Sequence, residues 1–284
     1  MIIVGLLVLC LLAAVPAVIG GSIWGALIAF AGTFLGLLIL AALFLIIACG
    51  LVDQEKPQET ESKFFRGMAK WYIRGVISLV GLQVRTRGME KLPKDGRFLL
   101  LCNHIHDLDS AVLLHCFPDS QLAFIAKQET KHYFLVGPVL HKLQCQLINR
   151  ENDREALKTI LKCIQLIKED HASIAVFPEG YVSLDGKLRH FRSGVLKIAQ
   201  RAGVPIVVCT VQGTKQVLPN LKKLKRSAVD VHLVDVIPAE QVKHTNTVEL
   251  AEQVYEMMIA DMGEDFRTDE KALHPDLQRQ RMEQ

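Results

Sequence analysis

The chain has 284 residues, and every one of its 63 Asp, Glu, Lys and Arg side chains lies after Val52. An uncharged, apolar first fifth excludes an ordinary soluble protein, and the remainder is apolar and long enough to bury a core, which excludes intrinsic disorder. A net charge of +3, with no basic tract interleaved with aromatics, gives no argument for a nucleic-acid partner, and none is expected.

A single helix over residues 1–52 would be about 78 Å long, more than twice a ~30 Å hydrocarbon core, so the segment must turn. Gly20-Gly21-Ser22 is the best break, predicting spans over residues 2–19 and 23–51. Gly21, Gly25, Ala29, Gly32 and Gly36 put small residues on one face of the second span, where a neighbouring helix can approach closely. A helical hairpin is the simplest reading. A cleaved signal peptide over 1–19 lacks its basic start, and Pro16 leads into more apolar chain. One tilted span behind a shallow re-entrant segment stays open.

A polar linker, Asp53 to Ser62, leads to a basic amphipathic pattern over residues 63–80. Lys63, Arg66, Lys70 and Arg74 share one helical face, and Phe65, Met68, Ala69, Tyr72, Val76 and Leu79 the other. Two readings fit equally: an interfacial helix on an anionic leaflet, or a helix packed on the domain core. Either way, cations just past the span place the following domain on the cytosolic face. The seven cysteines form no C-x-x-C pair and read as reduced thiols in a reducing compartment.

From residue 81 on, runs rich in Val, Ile and Leu predict strands at Phe98–Cys102, Leu122–Ile125, Cys145–Ile148, Ser173–Phe177, Val204–Thr210 and Asp230–Ile237. Helical patterns alternate with them. One runs from Asn152 to Asp170, with Leu157, Ile160, Leu161, Ile164 and Ile167 at core spacing and Asn152 able to cap with Glu155. Another, from Ser193 to Gln200, stops at Gly203. This alternation predicts an α/β domain over residues 81–264 with a sheet buried on both faces, followed by a polar tail over 265–284.

The sequence has no G-x-S-x-G elbow, Walker loop, G-x-G-x-x-G or H-E-x-x-H. Three strand ends carry candidate chemistry instead. Asn103-His104-Ile105-His106-Asp107-Leu108-Asp109 follows the first predicted strand. Residues five apart on a regular helix point about 140° away from each other, so His104 and Asp109 pair only if His104 stays in the loop. In that geometry Asp109 fixes the tautomer and makes the other ring nitrogen more basic. His106 and Asp107 are rivals for both roles. Phe177-Pro178-Glu179-Gly180 sets an acid beside a glycine that admits close backbone approach, and Arg150 after another strand can fork onto a phosphate. A polar turn, a Pro-Glu-Gly turn and a surface ion pair are the corresponding structural readings.

These blocks, in this order behind an apolar hairpin, resemble the glycerolipid acyltransferases of the 1-acylglycerol-3-phosphate (lysophosphatidic acid) type over about residues 70–240. Asn103, His104 and Asp109 match N-H-x-x-x-x-D, Leu147 to Arg150 the second block, Phe177 to Gly180 F-P-E-G, and Val204-Pro205-Ile206-Val207 V-P-I-V. Phe191-Arg192-Ser193-Gly194 matches the aromatic-basic-x-Gly that follows. The resemblance implies an α/β acyltransferase domain with a central mixed sheet, preceded by an N-terminal transmembrane helical hairpin and an interfacial amphipathic helix. It implies that His104 takes a proton from an acceptor hydroxyl while Asp109 orients it. The alkoxide then attacks acyl-CoA or acyl-carrier protein directly. Arg150, Glu179, Gly180 and Arg192 would bind the acceptor, supported by Asn103, Pro178 and Pro205, with no metal or cofactor.

The third block departs from the family's E-G-T-R, since Tyr181-Val182 follow Gly180, and His106 stands where Ser is usual. Lys187, Arg189 or Arg192 is the expected substitute cation. The expected reaction is lysophosphatidic acid to phosphatidic acid in an integral membrane protein of a bacterial plasma membrane or endoplasmic reticulum. Its expected partners are membrane lipids, lysophosphatidic acid and the thioester donor. The alternatives are another lysophospholipid as acceptor, a thioester or lipid hydrolase, and a silent membrane-binding module.

Overall fold

The computed structural model describes residues 2–183 and 185–268. Ten α-helices and seven strands alternate along them: α1 Ile2–Ile19, α2 Ile23–Gly50, α3 Lys63–Leu79, β1 Gln83–Arg87, β2 Leu99–Cys102, α4 Leu108–Cys116, β3 Leu122–Lys127, α5 Val136–Lys142, β4 Gln146–Ile148, α6 Asp153–Lys168, β5 Ser173–Val176, α7 Lys197–Ala202, β6 Ile206–Gln212, α8 Val217–Lys222, β7 Ala228–Ile237, α9 Ala239–His244 and α10 Thr247–Met262.

The strands form one sheet in the order β1-β7-β6-β2-β5-β3-β4. All neighbours are parallel except β6 and β7, so the sheet is mixed but mostly parallel. Strand β2 shows why its apolar run is unbroken. Leu99 and Leu101 join a core with α6, α7 and α10, whereas Leu100 and Cys102 join a second core with α4 on the other face.

Six of the seven strands coincide with the predicted runs, shifted by a residue or two. The seventh, β1, reads QVRTR, and its polar side chains carry no strand signal because it is an exposed edge. Asn152 caps α6 by accepting from the Arg154 and Glu155 N–H groups, while the Glu155 carboxylate turns to Asn149 Nδ2 instead of closing the box. The core face of α6 is corrected: Cys163, Ile164, Leu166 and Ile167 are buried, but Leu157 and Leu161 are exposed.

Helices α1 and α2 pack on each other across the Gly20–Ser22 turn, and among the described residues α2 is the one helix long and apolar enough to cross a membrane. The end of α2 docks on α3 through Cys49, Phe65 and Met68. The expected basic face of α3 is also corrected. Arg66 is buried, its guanidinium bonded to Glu61 and to the Leu122 carbonyl, while Phe64, Trp71, Val76 and Leu79 are exposed. The linker is likewise tied down, with Gln144 donating to the Glu59 carbonyl and the Ser62 N–H to the Lys142 carbonyl.

The domain runs past residue 264. Leu188 N–H donates to the Phe266 carbonyl, and Thr268 is buried with its hydroxyl on the Leu188 carbonyl. The rest of the expected polar tail, from residue 269, lies outside the described residues.

Candidate active site

Strands β2, β4, β5 and β6 run in one direction, so their C-terminal ends open on one side of the sheet, where ligand crevices form in such folds. Asn103 leaves β2 there and clamps it to β6: its Nδ2 donates to the Val211 carbonyl at 2.9 Å and its Oδ1 accepts the Val211 N–H at 2.7 Å. A buried amide thus extends the sheet ladder by one rung and sets where the next residue emerges.

That residue, His104, stays in the loop, and α4 begins at Leu108. Its Nδ1 lies 2.9 Å from Asp109 Oδ2. Asp109 is fully buried, yet it is saturated with donors: Oδ2 also accepts the Ile105 and His106 N–H groups at 2.8 and 2.9 Å, and Oδ1 accepts the Thr214 hydroxyl at 2.6 Å. Thr214 follows β6 and belongs to no sequence block. It reaches Asp109 because Gly213 turns at φ +92°, where a Cβ would lie 2.4 Å from the Ala228 carbonyl oxygen.

The same loop places His106 and Asp107 differently. His106 uses Nδ1 to accept the Leu108 N–H, and Asp107 precedes α4 without a side-chain cap bond. With Nδ1 engaged as donor to a carboxylate, Nε2 of His104 is the nitrogen left to accept a proton, and the side chain keeps 14% of its surface open. Among the described residues Nε2 has no hydrogen-bond partner. The ring stacks on Phe177 from the end of β5, with centroids 4.0 Å apart, which sets its tilt.

Glu179 occupies a different place from the one expected of an acceptor ligand. It is 1% exposed, and its two oxygens accept the N–H groups of His104 at 2.8 Å and Arg189 at 2.9 Å. It therefore staples the His104 loop to the segment after β5. Burial pushes its carboxyl up to about 8, against the pull of those two donors and of the Arg189 charge.

A carboxyl near 4.5 unfolded and near 8 folded takes up a proton on folding, so its contribution to stability is complete below the lower value and is lost as pH rises through the upper one. Chemical denaturation in detergent should show wild-type stability declining over that window by on the order of 5 kcal/mol, a decline missing from Glu179→Gln. Equal slopes in the two proteins would refute the assignment.

Gly180, at φ +84°, carries the chain beneath Arg192, whose Nε would lie 3.0 Å from an added Cβ. Arg192 is held by its own N–H on the Pro178 carbonyl at 3.0 Å. It lines a cleft of about 580 Å3 together with Arg150, Lys127, His132, Gly180 and Tyr181. Burial, then the Arg192 charge beside it, lowers the pKa of Arg150. Burial lowers that of Arg192 also. Two partly buried guanidiniums in one cleft make a cradle for an anion, most simply a phosphate. The other candidate cations sit elsewhere: Arg189 turns its guanidinium to Asp185, and Lys187 lies in the same turn. Phe177 and Pro178 connect the two centres, since both line a smaller cavity with Arg150, Gly180 and Arg192. Pro205 stands at the far end of β6 from the site and accepts the Leu99 N–H, so its block places the strand without touching the cleft.

The family model described as Acyltransferase matches residues 83–212, the stretch that holds His104, Asp109, Arg150, Glu179 and Arg192. The chain is 31% identical over 158 residues to the "Probable 1-acyl-sn-glycerol-3-phosphate acyltransferase" of Mycoplasma pneumoniae, covering 54% of this chain and 58% of that one. It is 27% identical over 189 residues to the 1-acyl-sn-glycerol-3-phosphate acyltransferase of Saccharomyces cerevisiae, covering 66% and 62%. The matches thus span less than two thirds of these relatives' length. The crystal structure of the 1-acyl-sn-glycerophosphate (LPA) acyltransferase of Thermotoga maritima has the same fold, with a TM-score of 0.59 at 21% identity over 81% of this chain and 91% of that one.

Proposed function

We propose that the chain is an acyltransferase whose catalytic domain holds the matched residues 83–212, and that it moves a fatty acyl chain from a thioester, acyl-CoA or acyl-carrier protein, to the free hydroxyl of lysophosphatidic acid, giving phosphatidic acid. The observation that carries this reading is the 2.9 Å bond from His104 Nδ1 to a buried, fourfold-bonded Asp109, which leaves Nε2 as the base.

In the forward step Nε2 takes the hydroxyl proton while the oxygen bonds to the thioester carbonyl carbon. When the C–S bond breaks, the same Nε2–H returns the proton to the leaving thiolate. Asp109 stabilises the imidazolium between the two transfers. No covalent acyl-enzyme intervenes, consistent with the missing serine elbow. Arg150 and Arg192 hold the acceptor's phosphate, whose charge relieves the repulsion between them. Gly180 leaves room beside them, and Tyr181-Val182 take the place of the family's Thr-Arg.

A water-soluble domain would meet such an acceptor only rarely. The 28-residue α2, about 42 Å long, supplies a membrane span, and the 18-residue apolar α1, about 27 Å and packed on it, the shorter arm of a membrane-embedded hairpin. On α3 the exposed Phe64, Trp71 and Leu79 fall within an arc of about 80°, with Lys63, Lys70 and Arg74 along one flank, the pattern of a helix lying in the interface. A hairpin returns the domain to the side of the N-terminus, and the cations after α2 make that side cytosolic.

The test is acyl transfer by the detergent-purified protein from both donors to a panel of lysophospholipids. Phosphatidic acid formed from lysophosphatidic acid supports the reading. Free fatty acid released without regard to acceptor indicates a hydrolase, and diacyl product only from another lysolipid reassigns the cleft. In the same assay Arg150→Ala and Arg192→Ala should each raise the KM for the acceptor by about 10- to 100-fold, the loss of one charge-assisted bond, with the donor KM unmoved. An unchanged acceptor KM in Arg192→Ala removes that residue from the phosphate site.

A further inference from the structure

The segment Thr214–Ser227, between β6 and β7, contains Lys215, Lys222, Lys223, Lys225 and Arg226 and no acid. Its leucines point outward: Leu218 and Leu221 are exposed, and Leu224 is 94% exposed. Among the described residues, Lys222, Lys223, Lys225 and Arg226 take part in no ion pair, and all are exposed.

The segment is not a loose loop. Val217 is buried in the core shared with α4, the Asn220 side chain donates to Ser227 Oγ at 3.1 Å, and α8 ends in a double closure, with the Lys225 N–H on the Asn220 carbonyl and the Leu224 N–H on the Leu221 carbonyl. The residue at the pivot of that closure adopts the left-handed conformation and is glycine in most proteins. Here it is Leu224, at φ +54°. A leucine is thus held rigidly into solvent, in a backbone conformation that disfavours it, amid four unpaired cations. At 94% exposure the side chain has almost no packing in the fold, which leaves it available to a second phase.

The neighbouring element says which. Gln83 N–H donates to the Ser227 carbonyl, and a Cβ added at Gly81 would lie 3.8 Å from Arg226 Cγ, so the segment adjoins the C-terminal end of α3, where Val76 and Leu79 are exposed. We infer that Leu218, Leu221 and Leu224, ringed by Lys222, Lys223, Lys225 and Arg226, form a second membrane contact that inserts leucine into an anionic leaflet beside α3. This contact presupposes the membrane-bound enzyme proposed above. Its consequence is a fixed tilt: the hairpin alone leaves the domain free to pivot, whereas a second contact on the α3 face of the sheet holds the cleft at one height above the bilayer.

The full chain, reconstituted in vesicles containing brominated phosphatidylcholine and roughly a third phosphatidylglycerol, tests both levels. Three single-tryptophan proteins are compared: native Trp24 alone, and, with Trp24 and Trp71 changed to Phe, Leu224→Trp or Leu157→Trp. Leu157 is an exposed leucine on α6, across the sheet, and serves as the control for a site facing water. The inference requires quenching at position 224 at least about twice that at 157, falling when phosphatidylglycerol is omitted. Quenching of Trp24, with quenching at 224 no stronger than at 157, leaves the hairpin standing and overturns the second contact. No quenching at either 24 or 224 overturns both. Strong quenching at 224 that ignores lipid charge overturns the role of the cations. As an independent check, Leu224→Gly should melt no lower than wild type in detergent. A fall of several degrees would mean the leucine serves the fold.

Discussion

Changing His104 to alanine is expected to lower the rate of acyl transfer at saturating donor and acceptor by about 10²- to 10⁴-fold while leaving both KM values within a few-fold of wild type. The split follows from the geometry. The imidazole is flanked by Asp109 on one side and Phe177 on the other, and the phosphate cradle of Arg150 and Arg192 is built from other strand ends. The substitution removes the group that accepts the proton and leaves the cleft that holds the acceptor. It should also leave the fold, because Asp109 keeps its bonds to the Ile105 and His106 N–H groups and to Thr214. Steady-state kinetics with a melting curve on the same preparation decides the matter. Activity within about tenfold of wild type would show that His104 is not the base.

Asp109→Ala should be worse, and in two currencies. The carboxylate accepts from two backbone N–H groups, a hydroxyl and a ring nitrogen, all gathered around a fully buried position. Removing it leaves these donors without that partner at about 1–3 kcal/mol each, so a loss on the order of 4 kcal/mol or more in folding free energy accompanies at least a 10²-fold loss of rate. Thr214→Val is the comparison that separates the two effects. It deletes one of the four bonds, so it should cost on the order of 1 kcal/mol and lower the rate only modestly. Equal rate loss in Asp109→Ala and Thr214→Val would place the decisive contact at Thr214 and not at the histidine.

Glu179 shows how a motif can be legible while its meaning is not. An acid after a buried strand and before a glycine reads as a group offered to a ligand. In three dimensions the carboxylate turns inward, because the N–H groups of His104 and Arg189 have no strand partner at that point, and a buried acceptor satisfies both at once. Arg66 departs from its pattern for a similar reason. Its helical face is basic by periodicity, but Glu61 and the Leu122 carbonyl, neither of them on α3, draw it into the interior.

What the sequence determined by itself was local or periodic. The uncharged stretch before Asp53, the alternation of apolar runs with helical patterns, the Asn152 cap, the Gly203 stop and the order of the His104, Arg150 and Phe177–Gly180 blocks all follow from side-chain chemistry within a few residues. The tertiary structure alone decided which side chains meet. Asn103 finds Val211, Asp109 finds Thr214, and Arg150 finds Arg192 across separations of 108, 105 and about 40 positions, because parallel strands bring their C-terminal ends to one side of the sheet whatever their order in the chain. Strand β1 carries no apolar pattern since an edge needs none, and Leu224 is singled out only by exposure and left-handed backbone together. Periodicity reports the face a residue shows to its own element, and only packing assigns that face to core, solvent or membrane.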